Sequence, residues 1–335
     1  MDARGSHRYP VSDQPNNETD DRVNIRNGDD GRAAGPALPR ANGPAAPQTG
    51  EERGVGPVEP LLTRQWRLVV TEPLSGPMNM AVDEAVMWAH REGLVPPTLR
   101  FYTWRPATLT IGYFQSLHRE VDVPAVRRAG YDLVRRLTGG RAVLHADEIT
   151  YSVIIRQELL PGSVLATYRL LSRGLVMGLQ ALGVPAEVVA ARAQGGRGST
   201  AACFDAPARY ELTAGGKKLV GSAQTRRRGV LLQHGSIPFT FDLDQVNLLL
   251  PGREGVDVAR WRAALRRTLA RKATSIGEFV QPRPSFTETL QALVQGFANA
   301  LELELEAVPL TPAEWEHAER LAREKYSTEE WNARR

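Results

Sequence analysis

From Trp66 onward the chain alternates between the two periodicities of folded structure. Trp66 to Thr71 reads as a strand, and Met78 to Arg91 as a helix with Val82, Val86 and Ala89 on one face and Gly93 as its stop. Leu99 to Trp104 and Thr108 to Phe114 are short β-prone runs separated by Arg105-Pro106-Ala107. A helix over Val123 to Ala129 ends at Gly130, and Leu133 to Leu137 and Ile149 to Ile155 are strands flanking a glycine-containing turn. Ser163 to Leu182 spaces Leu171, Leu175, Leu179 and Leu182 as one helical face, closed by Gly183. After a loop at Gln194 to Ala202, Tyr210 to Thr213 and Lys218 to Gln224 form a hairpin about Ala214-Gly215-Gly216, and Val230 to Phe239 continues the sheet after an arginine-rich turn. From Leu243 the pattern is mainly helical, with Phe286, Leu290, Leu293, Phe297 and Leu301 on one face. Thr311-Pro312-Ala313-Glu314 is a capping box, and Ser327 with Glu330 repeats it. Interleaved strands and helices with hairpins among them predict a mixed sheet rather than a doubly wound parallel one.

Composition separates off the first 63 residues. They are rich in Gly, Pro, Asn, Asp and Ala, almost free of aromatics, and cannot bury enough apolar surface to offset their ordering entropy. A disordered N-terminal tail over residues 1–63 is expected. It holds 7 Arg and 10 acidic residues, so the overall charge of +4 conceals a body with 35 basic and 28 acidic residues. A basic body favours anionic partners: nucleic acid, an acidic protein or a phosphate-bearing group. The arginines are not interleaved with aromatics and no nucleic-acid-binding motif occurs, which argues against the first. No apolar run approaches the ~18 residues of a membrane span. Met1 to Pro15 lacks a signal-type apolar stretch, and a single cysteine suits a reducing compartment, so a cytoplasmic location is expected.

That cysteine, Cys203, lies in Ala202-Cys203-Phe204-Asp205-Ala206-Pro207. A lone cysteine is commonly a small buried hydrophobe. A glycine-rich, proline-terminated setting favours access, and Lys218 across the predicted hairpin would favour the nucleophilic thiolate. Arg136, Thr138, Gly139, Gly140, Arg141 and His145 form a second constellation, in which a sharp backbone turn leaves N–H groups for an acyl carbonyl or phosphate. Gly221-Ser222-Ala223-Gln224 and His234 form a third, where small strand residues permit close approach of a ligand or of packed backbone. Arg226-Arg227-Arg228 reads as a charged turn or a docking patch for an acidic carrier. Metal-ligand spacing, a Walker A loop and a G-x-S-x-G elbow do not occur, so no metal is expected.

Asn79-Met80-Ala81-Val82-Asp83-Glu84, Arg100-Phe101-Tyr102-x-Trp104, Gly112-Tyr113-Phe114-Gln115, the Arg136 to His145 segment, Gly216 to Gln224 and Leu232-Gln233-His234-Gly235 together resemble the lipoate/biotin protein ligase superfamily. The resemblance runs from about Trp66 to the C-terminus. It implies an α+β fold, a mixed central β-sheet flanked by helices (class II synthetase/biotin-ligase-like), with a helical C-terminal part: a catalytic domain over 64–310 and a helical extension over 311–335. Within the superfamily, Cys203-Phe204-x-Ala206-Pro207 and Tyr210-Glu211-Leu212 resemble the cysteine segment of the octanoyltransferases of Gram-positive-type lipoate synthesis. That branch moves octanoate from acyl-carrier protein to the glycine-cleavage H protein or another lipoyl domain. The resemblance makes Cys203 the acyl-thioester nucleophile, Lys218 the group that lowers its pKa, and Arg136, Thr138, Gly139, Gly140, Arg141, His145, Gly221, Ser222, Ala223, Gln224 and His234 the substrate-binding set. It implies no cofactor beyond the octanoyl-phosphopantetheine on the donor, no nucleic acid or membrane partner, and a monomer. Two departures, Ala208 for Ser and Leu137 for Pro, remove no group that the chemistry needs. An ATP-dependent lipoate–protein ligase is the chief alternative, but its turn carries a third glycine where Arg141 stands. An amidotransferase between carrier proteins is the second, with a Cys-Pro-Gly type of segment. His145 and Lys218 are both open as acceptors of the target amine's proton.

Overall fold

Turn chemistry and burial divide the chain into strands and helices at nearly the expected places. The computed structural model describes residues 63–160, 162–190 and 210–335. Residues 1–62 of the expected tail, and Cys203 with its loop, lie outside the described residues. The elements run β1 (Gln65–Val70), α1 (Gly76–Arg91), β2 (Thr98–Tyr102), β3 (Thr108–Ile111), α2 (Leu117–Glu120), α3 (Val123–Arg128), β4 (Asp132–Arg135), β5 (Val143–His145), β6 (Glu148–Arg156), α4 (Val164–Ala181), β7 (Ala186–Ala190), β8 (Tyr210–Ala214), β9 (Lys217–Arg227), β10 (Val230–Pro238), α5 (Val258–Lys272), α6 (Phe286–Leu301), β11 (Glu304–Ala307), α7 (Pro312–Leu321) and α8 (Glu329–Asn332).

Eight strands form the main sheet in the order β11-β1-β2-β6-β10-β9-β8-β7. β1 is parallel to β11 and β2, and every later pair is antiparallel, so the sheet is mixed as expected. A separate three-stranded sheet, β4-β3-β5, was not expected. Its strands are short and almost wholly buried, and periodicity shows burial without showing which strand is the partner.

Alternation along the buried strands sorts the two faces of the main sheet. Leu99 and Phe101 of β2, with Ile149, Tyr151, Val153 and Ile155 of β6, join a core beneath α4 and α6. Tyr102 and Ile154 point the other way, into a core with α1, Ala318 of α7 and Tyr326. On that second face β6 also carries Thr150 and Ser152, both buried. Polar side chains in the middle of a buried strand mark where the site lies. A third cluster, Leu109 and Ile111 of β3 with Leu265 and Leu269 of α5, packs the small sheet against α5.

α4 and α6 approach closely because glycines face each other. A Cβ on Gly296 would lie 2.4 Å from the Gly178 nitrogen, inside any tolerable contact. The Thr311 capping box of α7 is present. The second box is displaced by one residue: Thr328, not Ser327, caps α8, accepting from the Trp331 N–H, while Ser327 ends the preceding π-helical turn. β11 lies within the segment expected to be mainly helical. Glu302 at φ 54 breaks α6, and Glu304-Leu305-Glu306 then alternates with period two beside β1. Among the described residues no helix is long and apolar enough to cross a membrane.

Candidate active site

A narrow pocket of about 20 Å³ lies on the α1 side of the main sheet. Its wall includes Arg136, His145, Gly221, Ser222, Ala223 and His234. Three separate stretches of sequence thus converge on one pocket. Thr138 joins them from behind, bonded through Oγ1 to His234 Nε2 at 2.7 Å. The remaining expected residues stand back from the wall. Gly139 offers its carbonyl to Arg136, and Gly140 is exposed at φ 93. Arg141 turns to Glu120 at 2.8 Å, and Gln224 donates to Gln233 at 3.0 Å. Lys218, at the start of β9, is buried and paired with Glu211 at 3.5 Å.

The pocket rests on two carboxylate–histidine pairs. Asp83 of α1 accepts from Arg100 and Ser152, each at 2.9 Å, and from Tyr102 at 3.2 Å, and it faces His234 Nδ1 at 3.3 Å. Glu148 of β6 faces His145 Nδ1 at 2.7 Å and accepts from Thr150 and Ser236. Arg136 couples the pairs. A guanidinium only donates, so when Nη1 bonds Thr110 Oγ1 at 2.7 Å, that hydroxyl's own proton is left for His145 Nε2 at 2.9 Å. Its Nε lies 3.4 Å from Thr138 Oγ1, which stands in the same relation to His234. Both imidazoles are thereby set with Nδ1–H toward carboxylate and Nε2 as acceptor.

Electrostatics agree with that assignment. Burial would raise the Asp83 carboxyl, but the His234 hydrogen bond, the Arg100 charge and Ser152 hold it below its ordinary value. Burial likewise opposes ionisation of Glu148, and His145, Ser236 and Thr150 overcome it. Burial lowers His234, which keeps it neutral at neutral pH despite Asp83. Two aromatic features shape the wall. Trp104 stacks on His145 with centroids 4.2 Å apart, its indole N–H bonded to Thr150 at 2.8 Å. Gly235 leaves room for Tyr151, whose ring would meet a Cβ there at 2.6 Å; the Tyr151 hydroxyl bonds Ser222 at 2.8 Å.

Sequence reasoning missed Asp83, Trp104, Thr110 and Glu148 as site residues. Asp83 did carry a signal: Asn79 and Asp83 stand four apart on an otherwise apolar helix face, and both bond the buried Arg100. Among the described residues no group of three or more His, Cys, Asp and Glu side chains is placed to hold a metal.

Comparison with known proteins places this arrangement in a family. Residues 75–298 match the family model for the lipoyl protein ligase A/B catalytic domain. The chain is 47% identical over 279 residues to the octanoyltransferase LipM of Brevibacillus brevis, covering 81% of this chain and 99% of that protein. It is 50% identical over 276 residues to the octanoyltransferase LipM of Kyrpidia tusciae, at 81% and 99% coverage. Among solved structures it is similar, at TM-score 0.66 and 29% identity, to a chain from a bi-partite lipoate protein ligase and its E2 lipoyl domain of Thermoplasma acidophilum, covering 81% of this chain and 97% of that one. The chain therefore belongs to the lipoyl protein ligase A/B catalytic domain family.

Proposed function

We propose that this chain is an octanoyltransferase of lipoate biosynthesis. It takes octanoyl from the thioester of an acyl-carrier protein onto Cys203 and passes it to a lysine of the glycine-cleavage H protein or another lipoyl domain. The observation that carries this reading is likeness at 47% and 50% identity to octanoyltransferases, over 99% of each relative's length. The geometry supports it. β9 carries Lys218 three residues from Gly221 and five from Ala223, about 10 and 16 Å along an extended strand. An extended eight-carbon chain with bonds of ~1.5 Å spans roughly 9 Å. A thioester carbonyl at Lys218 would thus lay its alkyl tail along β9 into the pocket.

In this reading the Lys218 ammonium favours the Cys203 thiolate. The thiolate attacks the carbonyl carbon, a carbon–sulfur bond forms to Cys203, and the bond to the carrier breaks as its thiolate leaves. The target ε-amine then attacks the acyl-enzyme, the carbon–nitrogen bond forms, and the amine's proton ends on the departing Cys203 sulfur. Glu211 holds the Lys218 side chain at the site. The acyl group arrives already activated, so the reading requires no ATP, metal or nucleic acid, and it places the enzyme in the cytoplasm as a monomer. The test is a transfer assay with octanoyl-acyl-carrier protein and unmodified H protein, read by acceptor mass. Octanoylated acceptor without ATP is expected. Product only from free octanoate with ATP would make the chain a ligase and overturn the reading.

A further inference from the structure

The exposed side of α5 is an arginine stripe that the fold itself does not use. The helix has six basic residues, Arg260, Arg262, Arg266, Arg267, Arg271 and Lys272, and no acidic one. Arg262 and Arg266 pair with Asp122 and Asp244. Arg260, Arg267 and Arg271 are exposed, and none pairs with a carboxylate among the described residues. Positions 260, 264, 267 and 271 recur at helical spacing, so these three arginines share one face with Ala264 between them. The helix dipole favours Arg271 at the C-terminal end, but it disfavours Arg260 in the first turn, and like charges four apart at 267 and 271 oppose the helix. The stripe thus works locally against the helix that carries it.

Its position gives it a use. The last turn of α5 is seated on the start of β9: Lys217 Nζ donates to the Ala270 carbonyl at 3.3 Å, and the Thr274 N–H to the Lys218 carbonyl at 3.0 Å. From Arg271 the stripe runs back about 16 Å to Arg260, at 1.5 Å per residue. The other arginine-rich feature lies elsewhere. Arg227 ends β9, nine residues or about 30 Å from Lys218, and is stacked over Tyr113, with Arg228 in the turn that follows.

We propose that the Arg260–Arg267–Arg271 face of α5 is the docking surface for the acidic carrier protein that brings the acyl thioester. The proposal rests on the octanoyl-transfer reading above and adds where the donor binds. Charge complementarity is the argument: a cationic stripe without carboxylate partners among the described residues ends beside the start of β9, where the proposed reading puts the thioester, and fits a carrier helix lined with carboxylates. The experiment compares acylation of the full-length chain by octanoyl-acyl-carrier protein and by octanoyl-N-acetylcysteamine, a small thioester without a protein surface. In the triple variant Arg260→Ala, Arg267→Ala, Arg271→Ala, KM for the carrier should rise about tenfold or more and lose most of its salt dependence. Acylation by the small thioester should be unchanged, and the exposed Arg173→Ala on α4 should behave as wild type with both donors. An unchanged KM for the carrier, an equal loss with both donors, or a defect confined to the acceptor step would each overturn the proposal. A wild-type chain that neither donor acylates would remove the octanoyl-transfer reading itself, and the docking proposal with it.

Discussion

Arg136 shows how much a single donor-only side chain decides. By bonding Thr110 and lying beside Thr138 it fixes which way both hydroxyls point, and through them which nitrogen of His145 and His234 is free to accept. The price of this order is pH sensitivity. His234 is held below the ordinary histidine value of 6.5 by burial, as is His90 beneath the sheet. The unfolded chain therefore binds protons that the folded chain refuses once pH falls below about 6.5, and folding stability is full above that value and declines beneath it. Asp83 and Glu148, held below their ordinary values, add a second loss as pH falls below about 4. The expected result is a urea midpoint that drops between about pH 7.5 and 5.5, less steeply in His234→Gln. A midpoint flat across that range, or an unaltered slope in the variant, would contradict this account of the buried imidazoles.

At the scale of elements, the α4–α6 crossing is the most constrained contact in the fold. Gly296 meets backbone on α4 at Gly174 and Gly178, where no flexible side chain can move aside. Gly296→Ala should cost about 1–3 kcal/mol through overpacking, read from urea unfolding, whereas Gly93→Ala, with open space around its Cβ position, should show no clash cost beyond its strained φ. A Gly296→Ala loss well below 1 kcal/mol would mean that the crossing is not close-packed. The helices and most strands were legible because their caps and periods were unambiguous, as with Ser163 before α4 and Gly215-Gly216 between β8 and β9. The edge strands β7 and β11 and the short β5 were not. β7 and β11 lie at the sheet edges and stay largely unburied, so they carry little apolar alternation, and β5 has only three residues.

At the scale of the molecule, the pocket is built by pieces far apart in sequence: α1, the β4–β5 turn, β6, β9 and β10 meet around it. The C-terminal segment locks one side, where Asn332 receives the Arg135 N–H at 2.7 Å and Lys325 and Tyr326 hold Glu84 on α1. His145, His234 and the Gly221–Ala223 strand could be singled out because the motifs that hold them resemble a known family; their local patterns alone fit ordinary packing as well. Glu148 could not, since its role arises only when the sheet brings it under an imidazole, and Asp83 showed only through its spacing from Asn79 on α1. The standing of Arg141 and Gln224 was likewise set by partners, Glu120 and Gln233, that spacing does not show.

The relay through Cys203 is the centre of the proposed function, and intact-protein mass spectrometry tests it most directly. After mixing with octanoyl-acyl-carrier protein and no ATP, the chain should gain the mass of one octanoyl group, and Cys203→Ala should gain none. An adduct that persists in Cys203→Ala, or a wild-type chain that stays unmodified while still octanoylating its acceptor, would contradict the thioester mechanism.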